Sequence, residues 1–270
     1  MNTRSEPATP SSFVTITRRD GPADLEYRWV GLPHGESAHP VVVFLHEGLG
    51  SVSMWHDFPQ RFCAAHGLTG LVYSRFGYGQ SSVRPRDAAL APRYLHEQAH
   101  EDLPALLRTL EIRRPWLFGH SDGGSIALLY ASRFPEHVSG IVVLAPHIFV
   151  EENTVAGLRA ARAAFENGTL TQRLARHHRD VDSVFHGWND AWLSPAFHGW
   201  NIEAEVARIR CPVLAVQGEN DEYATLEQIE GIRRLCPQTR LLVLPGCGHI
   251  PHRERAEEVI DAAGAFITGG

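Results

Sequence analysis

Short apolar runs alternate along this chain with longer stretches of helical pattern. Such runs are typical of strands that are buried on both faces of a sheet, and their alternation with helices is typical of βαβ units. We therefore predict an α/β fold with a mostly parallel β-sheet flanked by helices. The strands of this alternating part are predicted at residues 41–45, 70–74, 116–118, 141–144, 213–216 and 241–244.

Two further β-rich runs precede the alternating part. Residues 13–17 and 25–30 flank the turn signal Asp20-Gly21-Pro22, so we predict that they pair as a hairpin. The clearest helical patterns predict helices at residues 95–110, 125–132, 226–235 and 256–266.

The alternation breaks once, over residues 147–210, where no convincing strand occurs. We predict a flexible N-terminus at 1–12, a core domain formed by 13–146 and 211–270, and a helical cap or lid at 147–210. Two interpretations of the aromatic residues in this insertion stay open: they pack it onto the core, or they line an apolar pocket beneath it. These residues are Phe149, Phe185, Trp188, Trp192, Phe197 and Trp200.

Composition narrows the chemistry further. The 270 residues are 43% hydrophobic and 21% charged, which is a globular composition. All 25 cationic side chains are arginines, so the chain has no lysine for a Schiff base or for a Walker A phosphate site. A net charge of −6 also disfavours nucleic-acid binding.

The sequence predicts a cytoplasmic protein that acts on a small-molecule substrate. Residues 1–12 are polar and show no secretory signal. The apolar runs are too short to span a bilayer, so no membrane association is expected. The four cysteines form no C-x-x-C pair and are expected to be free thiols. Whether the chain forms a homodimer stays open.

One motif carries the candidate chemistry. Gly119, Ser121 and Gly123 form a G-x-S-x-G pattern between a predicted strand and a predicted helix. The glycines allow the sharp turn that exposes a nucleophilic serine at the end of the strand. The backbone N–H of Asp122, at the start of the helix, is a candidate oxyanion donor.

Candidate partners for the serine follow in the order acid, then base. Asp221 comes after the strand at 213–216, and His249 comes after the strand at 241–244. A serine hydroxyl needs such a base, and the base needs an orienting carboxylate. We therefore predict the triad Ser121, Asp221 and His249. Rival groups lie close by in the sequence, namely the carboxylates Glu219 and Glu222 and the imidazole His252.

These motifs resemble those of the α/β-hydrolase superfamily over nearly the whole chain after residue 12. The resemblance rests on residues 119–124, 218–221 and 246–252, and on His46-Glu47-Gly48-Leu49-Gly50, where such enzymes usually carry His-Gly-x-x-Gly. It implies a second oxyanion donor at Gly48. Glu47 replaces the usual first glycine, so a donor at position 47 stays open.

Several side chains are candidates for lining the site. We predict substrate contacts at His120, Trp188, Trp192 and Phe149. Glu47 either is satisfied by one of the many arginines, or touches the substrate or tunes the catalytic histidine. An anionic substrate could be received only by arginine, histidine or backbone amides, and the insertion offers Arg159, Arg173 and Arg176 for this.

The predicted function is a serine hydrolase for an ester, lactone or related activated acyl bond of a small to medium apolar or aromatic substrate, without cofactor or metal. Carbon–carbon hydrolysis is an alternative, although carbon–carbon hydrolases typically place a tryptophan where this chain has Ile250. A non-hydrolytic ligand receptor or a cofactor-free oxygen-handling enzyme are further alternatives on this fold. His96, Glu97 and His100 match the zinc-protease pattern H-E-x-x-H, but they precede the nucleophile strand and lack an obvious third ligand.

Overall fold

Eight strands form one sheet in the computed structural model, which describes residues 11–85 and 90–269. Their order across the sheet is 1-2-4-3-5-6-7-8 in chain numbering. The strands are β1 (Ser12–Arg18), β2 (Gly21–Gly31), β3 (Val42–Leu45), β4 (Thr69–Tyr73), β5 (Trp116–His120), β6 (Gly140–Leu144), β7 (Val213–Gly218) and β8 (Thr239–Leu244).

The predicted sheet and hairpin are both confirmed. β1 pairs antiparallel with β2, and β2 pairs antiparallel with β4. Every other pairing in the sheet, from β4 through β3 to β8, is parallel. Of the predicted flexible N-terminus, residues 1–10 lie outside the described residues, and Ser12 is already part of β1. Because the strands from β4 through β3 to β8 are parallel, their carboxyl ends share one edge of the sheet, where sites form in open α/β sheets.

The central strands are buried on both faces. Along β3, Val42 and Phe44 belong to one apolar cluster, whereas Val43 and Leu45 belong to another. Successive side chains of a strand point to opposite faces, so the two clusters are the cores on the two sides of the sheet. This is why the strand sequences are continuous apolar runs rather than alternating ones.

Helices cover both faces of the sheet and form the insertion. The core helices are α1 (Phe58–His66), α2 (Tyr94–Glu97), α3 (Leu103–Thr109), α4 (Asp122–Arg133), α9 (Glu227–Leu235), α10 (Pro251–Glu254) and α11 (Ala256–Thr268), and those of the insertion are α5 (Glu152–Glu166), α6 (Thr169–Leu174), α7 (Val181–Leu193) and α8 (Glu203–Val206). A π-helical turn at Gln98–Asp102 joins α2 to α3.

Two details differ from the sequence prediction. The helix predicted at 95–110 is interrupted by the π-helical turn, so its side chains change direction part-way along. Helix α1 was not predicted. It has nine residues and a proline at the second position. The glycine that caps its C-terminus, Gly67, adopts the left-handed conformation. None of the helices within 11–85 and 90–269 is long and apolar enough to cross a membrane.

Candidate active site

Ser121 sits on the sharp turn between β5 and α4. Its backbone has φ 52° and ψ −118°, in the region that residues other than glycine rarely adopt. The two nearby glycines are required because any side chain at these positions would overlap with the backbone of a neighbouring segment. A Cβ on Gly119 would lie 2.2 Å from the carbonyl oxygen of Gly123, and one on Gly123 would lie 2.0 Å from that of Leu45. Close packing of strand and helix therefore forces the strained turn that presents the hydroxyl.

The structure brings Ser121, His249 and Asp221 into one hydrogen-bonded row. Nε2 of His249 lies 3.0 Å from Oγ of Ser121, and Nδ1 lies 2.8 Å from Oδ1 of Asp221. An ionised carboxylate only accepts hydrogen bonds, so Nδ1 carries the ring proton and Nε2 is free to accept the serine proton. All three residues are less than 10% exposed.

The carboxylate of Asp221 is held in its ionised form. Burial raises its pKa, but the hydrogen bond from His249 and the electrostatic interaction with that imidazole lower the pKa by more, so the net shift is downward. The backbone N–H of Tyr223 also donates to Oδ1 at 2.9 Å, and Gln217 donates to Oδ2 at 3.3 Å. This environment fixes the carboxylate in place to orient the imidazole.

The rival acids and base lie outside this row. Glu222 accepts a hydrogen bond from the backbone N–H of His249 at 3.2 Å and does not bond its ring. Glu219 is exposed. His252 is buried behind His120, with the two ring centroids 4.8 Å apart. The geometry therefore favours Asp221 and His249 over all three.

Two backbone N–H groups are the candidate donors to an oxyanion. Asp122 is the first residue of α4, so its N–H has no intrahelical acceptor. The carbonyl of Glu47 accepts from Arg75 Nη2 at 2.7 Å and contacts the ring of His46 at 2.7 Å. In a trans peptide the following N–H points the opposite way. The N–H of Gly48 is thus turned away from Arg75, which favours position 48 over 47 as the second donor.

Asp122 also anchors a buried network through its side chain. The hydroxyl of Tyr94 donates to its carboxylate at 2.6 Å, the indole of Trp192 donates to Tyr94 at 2.8 Å, and Arg75 lies 3.7 Å from the same carboxylate. Burial raises the pKa of Asp122, and the charge of Arg75 and these hydrogen bonds offset only part of that rise. The network joins the insertion to the turn that carries the nucleophile.

Among residues 11–85 and 90–269, no arginine forms an ion pair with the carboxylate of Glu47. Arg75 donates instead to the backbone carbonyl of Glu47. The carboxylate oxygen Oε2 of Glu47 lies 3.6 Å from Nδ1 of His120. Burial raises the pKa of Glu47, but its interactions with His120 and, to a smaller extent, with the imidazoles of His46 and His252 lower the pKa well below its usual range. Because Nε2 of His120 donates to the carbonyl of His249 at 2.7 Å, an ionised Glu47 supports a residue that holds the backbone of the candidate base.

A cavity of about 220 Å³ lies between the triad and the insertion. Of the predicted contact residues, His120, Trp188 and Trp192 line it, whereas Phe149 does not. Phe149 pairs instead with Asn201 in a short β-bridge. The lining side chains from the insertion are Thr154, Leu158, Ala161, Leu170, Arg173, Trp188 and Trp192.

The aromatic residues of the insertion divide between the two interpretations. Trp188 and Trp192 face the cavity, and the indole of Trp188 occupies the space that a Cβ on Gly48 would need. Phe197 stacks on Trp200 at 5.4 Å, and Phe185 stacks on Phe165 at 3.8 Å. These pairs stack within the insertion, and Phe197 also packs onto the core, where its ring lies 6.1 Å from that of Tyr94 in α2. Among the three arginines considered for anions, Arg173 lines the cavity, while Arg159 and Arg176 do not.

The H-E-x-x-H pattern lies away from the cavity. His96 faces Glu205 at 3.9 Å, and His100 donates to the carbonyl of Leu129 at 3.4 Å. Within the described part of the chain, no group of three or more His, Cys, Asp or Glu side chains is arranged to hold a metal ion. The H-E-x-x-H pattern therefore has no third ligand among the described residues.

Sequence reasoning missed two residues of the site, His147 and Tyr94. His147 lines the cavity and lies three residues after the end of β6, so its position just past a strand end was a usable signal. The hydroxyl of Tyr94 meets Asp122 across 28 positions of sequence, and no local pattern indicates such a contact. Arg75, which follows β4, holds the backbone at Glu47 through its hydrogen bond to the carbonyl of that residue.

Comparison with known proteins agrees with this architecture. Residues 42–262 match the model of the alpha/beta hydrolase family. The sn-1-specific diacylglycerol lipase ABHD11 of Mus musculus is 24% identical, over 97% of this chain and 92% of its own length. The 2-succinyl-6-hydroxy-2,4-cyclohexadiene-1-carboxylate synthase of Salmonella typhimurium is 26% identical, over 86% and 96%. The solved enol-lactonase from Burkholderia xenovorans LB400 superposes with a TM-score of 0.73 at 21% identity, over 95% and 100%.

Proposed function

This chain belongs to the alpha/beta hydrolase family, and we propose that it is a serine hydrolase of an ester, lactone or related activated acyl bond. The observation that carries the proposal is the hydrogen-bonded row from Ser121 through His249 to Asp221 on a strained turn. A lipase among its relatives supports the same class of reaction. The apolar lining of the cavity suits a small to medium substrate with an apolar or aromatic part.

The first half of the reaction forms an acyl-enzyme. His249 takes the proton of Ser121 as the serine oxygen attacks the substrate carbonyl, and Asp221 stabilises the imidazolium that results. The N–H groups of Asp122 and Gly48 donate to the oxyanion of the tetrahedral intermediate. His249 then gives its proton to the leaving alcohol, and the bond between the acyl carbon and that oxygen breaks.

The second half releases the acid. A water molecule gives one proton to His249 and attacks the acyl carbon, and the same two N–H groups receive the oxyanion again. The proton on His249 returns to Ser121 as the acyl–serine bond breaks. The insertion acts in this scheme as a lid, and Trp188 and Trp192 are its aromatic contribution to the cavity lining.

The Ser121→Ala substitution tests the assignment. Without the nucleophile oxygen, hydrolysis of p-nitrophenyl butyrate should fall by at least about a thousandfold, with the melting temperature nearly unchanged. A fluorophosphonate probe should label the wild-type protein and not this variant. Ser139→Ala is the matched control, since Ser139 precedes β6 at the opposite end of the sheet. Retained ester hydrolysis in Ser121→Ala would contradict the assignment.

A second candidate is a synthase reaction on a compound that bears carboxylates. Two observations favour it: the relative from Salmonella typhimurium carries such a name, and Arg173 offers a positive charge to the cavity. Here His249 would serve as a base, with no acyl-enzyme formed. Trapping separates the candidates, because a hydrolase leaves an acyl group on Ser121 that mass spectrometry detects after rapid quenching with ester.

A further inference from the structure

His147 lies beside the proposed catalytic groups and has no assigned role. Its backbone is clamped to the helix of the nucleophile, because Ser125 Oγ donates to its carbonyl at 2.6 Å and its own N–H donates to Ser125 Oγ at 3.2 Å. The ring stands edge-on to Trp192, with centroids 5.3 Å apart, and 6.0 Å from the ring of His249. The imidazole is therefore held in a fixed position at the wall of the cavity.

The ring nitrogens of His147 are unpaired although the residue is 3% exposed. Within the described part of the chain, neither nitrogen reaches a hydrogen-bond partner. The backbone of Tyr223 interacts with the ring and raises its pKa. A backbone carbonyl can engage only the nitrogen that carries the proton, so the other nitrogen stays without a partner. Unpaired buried polar groups are destabilising and uncommon. Since this ring lines the cavity, a bound molecule would supply the missing partner.

The charge state of His147 limits what that partner is. Burial, with a further contribution from the neighbouring imidazole of His249, lowers its pKa to about 4, so the ring is neutral near pH 7. A neutral imidazole offers one N–H donor and one acceptor nitrogen. The negative charges of Asp221 and Glu151 also act on this position, and they disfavour an anion beside it. An uncharged oxygen atom of the bound molecule can hydrogen-bond a neutral imidazole and is not repelled by these negative charges.

We propose that His147 determines substrate specificity by hydrogen-bonding an uncharged hydroxyl or carbonyl oxygen that the substrate carries close to its scissile carbonyl. This inference rests on the proposed hydrolase function and names the substrate class within it: hydroxy-acyl or oxo-acyl compounds. The short distance from His147 to His249 places that oxygen within a few bonds of the carbon that Ser121 attacks. Trp192 covers the same group from the side of the insertion.

Matched esters test this specificity. We compare kcat/KM for the p-nitrophenyl esters of butyrate, 2-hydroxybutyrate and 3-hydroxybutyrate, subtracting the background measured with Ser121→Ala. A site that hydrogen-bonds a substrate group strongly disfavours the analogue that lacks it. The wild-type enzyme should therefore prefer one of the hydroxy esters by about tenfold or more. If neither is preferred, the nitrogens bind only water and the proposal is overturned.

Two variants assign the preference to His147. His147→Phe should bring the ratio of kcat/KM for the hydroxy ester to that for the butyrate ester down to about one, and His147→Asn, which keeps a donor and an acceptor, should restore part of the preference. A preference that survives in His147→Phe, with the variant folded by its melting curve, contradicts the proposal. Failure of the hydrolase function itself looks different: the wild-type protein would then neither hydrolyse the butyrate ester nor react with a fluorophosphonate.

Discussion

At the scale of single residues, charge in the cavity is unevenly distributed. Glu47 and Glu222 line it near the triad, whereas Arg173 lies on α6 in the insertion. No ion pair or hydrogen bond joins the Arg173 side chain to the described residues. A substrate with a carboxylate would therefore bind with its neutral acyl carbonyl at Ser121 and its charge toward α6.

Arg173→Gln tests this orientation. Hydrolysis of a p-nitrophenyl ester that ends in a carboxylate should lose about three- to tenfold in kcat/KM, because an exposed charge contributes only modestly. The methyl ester of the same compound should be unaffected. The loss should shrink in high salt, which screens exposed charges.

Arg176→Gln is the matched control, since Arg176 lies three positions further and does not line the cavity. Equal losses in the two variants would point to a long-range effect of net charge rather than to a contact with Arg173.

At the scale of elements, one hydrogen-bonded chain joins helix α7 to helix α4. It runs from Trp192 through Tyr94 to Asp122, whose N–H is a proposed oxyanion donor. The π-helical turn after α2 contributes Gln98, which accepts from Arg75 at 3.0 Å. The position of the insertion is thereby linked to the geometry of the site.

Tyr94→Phe removes the central hydroxyl of this chain. The buried carboxylate of Asp122 then loses a donor, so the free energy of unfolding should fall by about 1–3 kcal/mol. kcat should fall more than KM changes, because the oxyanion donor belongs to the same residue. Urea unfolding and steady-state kinetics measure the two effects.

Tyr130→Phe is the control for this experiment. Tyr130 is a buried tyrosine on α4 whose hydroxyl has no hydrogen bond to the described residues. If Tyr130→Phe lowered kcat as much as Tyr94→Phe, the effect would belong to general packing of α4 and not to the chain that ends at Asp122.

At the scale of the whole molecule, buried histidines make stability depend on pH. Burial lowers the pKa values of His46 and His252 well below 6.5, and lowers that of His147 to about 4. The unfolded chain binds protons below about pH 6.5, whereas these folded side chains do not. Their contribution is therefore complete above pH 6.5 and is lost as pH falls. Asp102 opposes this in part, since burial raises its pKa to about 6.

We expect the free energy of unfolding to drop between pH 7 and pH 4. His147 contributes on the order of 3 kcal/mol to this drop in the free energy of unfolding, because its pKa is lowered from 6.5 to about 4 in the folded protein. His147→Phe should therefore show a shallower pH dependence in urea unfolding. His137→Phe, at an exposed position, should keep the wild-type dependence. Identical slopes for wild type and His147→Phe would contradict this account.

Much of the fold was predictable from sequence because its signals are local. Each buried strand of the parallel part is a short apolar run, and the G-x-S-x-G turn, Asp221 and His249 each follow such a run. Parallel strands place their carboxyl ends at one edge, so three distant residues could be assigned to one site. Helix α1 was missed because it is only nine residues long and has a proline at its second position, so its sequence gives a weak helical pattern.

What the sequence determined by itself was the alternation of strands and helices, the order of the triad candidates and the chemistry excluded by the lack of lysine. Only the tertiary structure decided that the N–H of Gly48 points away from Arg75, that Phe149 lies outside the cavity, and that His147 lines it with a ring nitrogen that has no partner among the described residues. The physical reason is range. Strand, helix and turn patterns arise from neighbours in sequence, whereas hydrogen-bond satisfaction and cavity lining depend on side chains that only folding brings together.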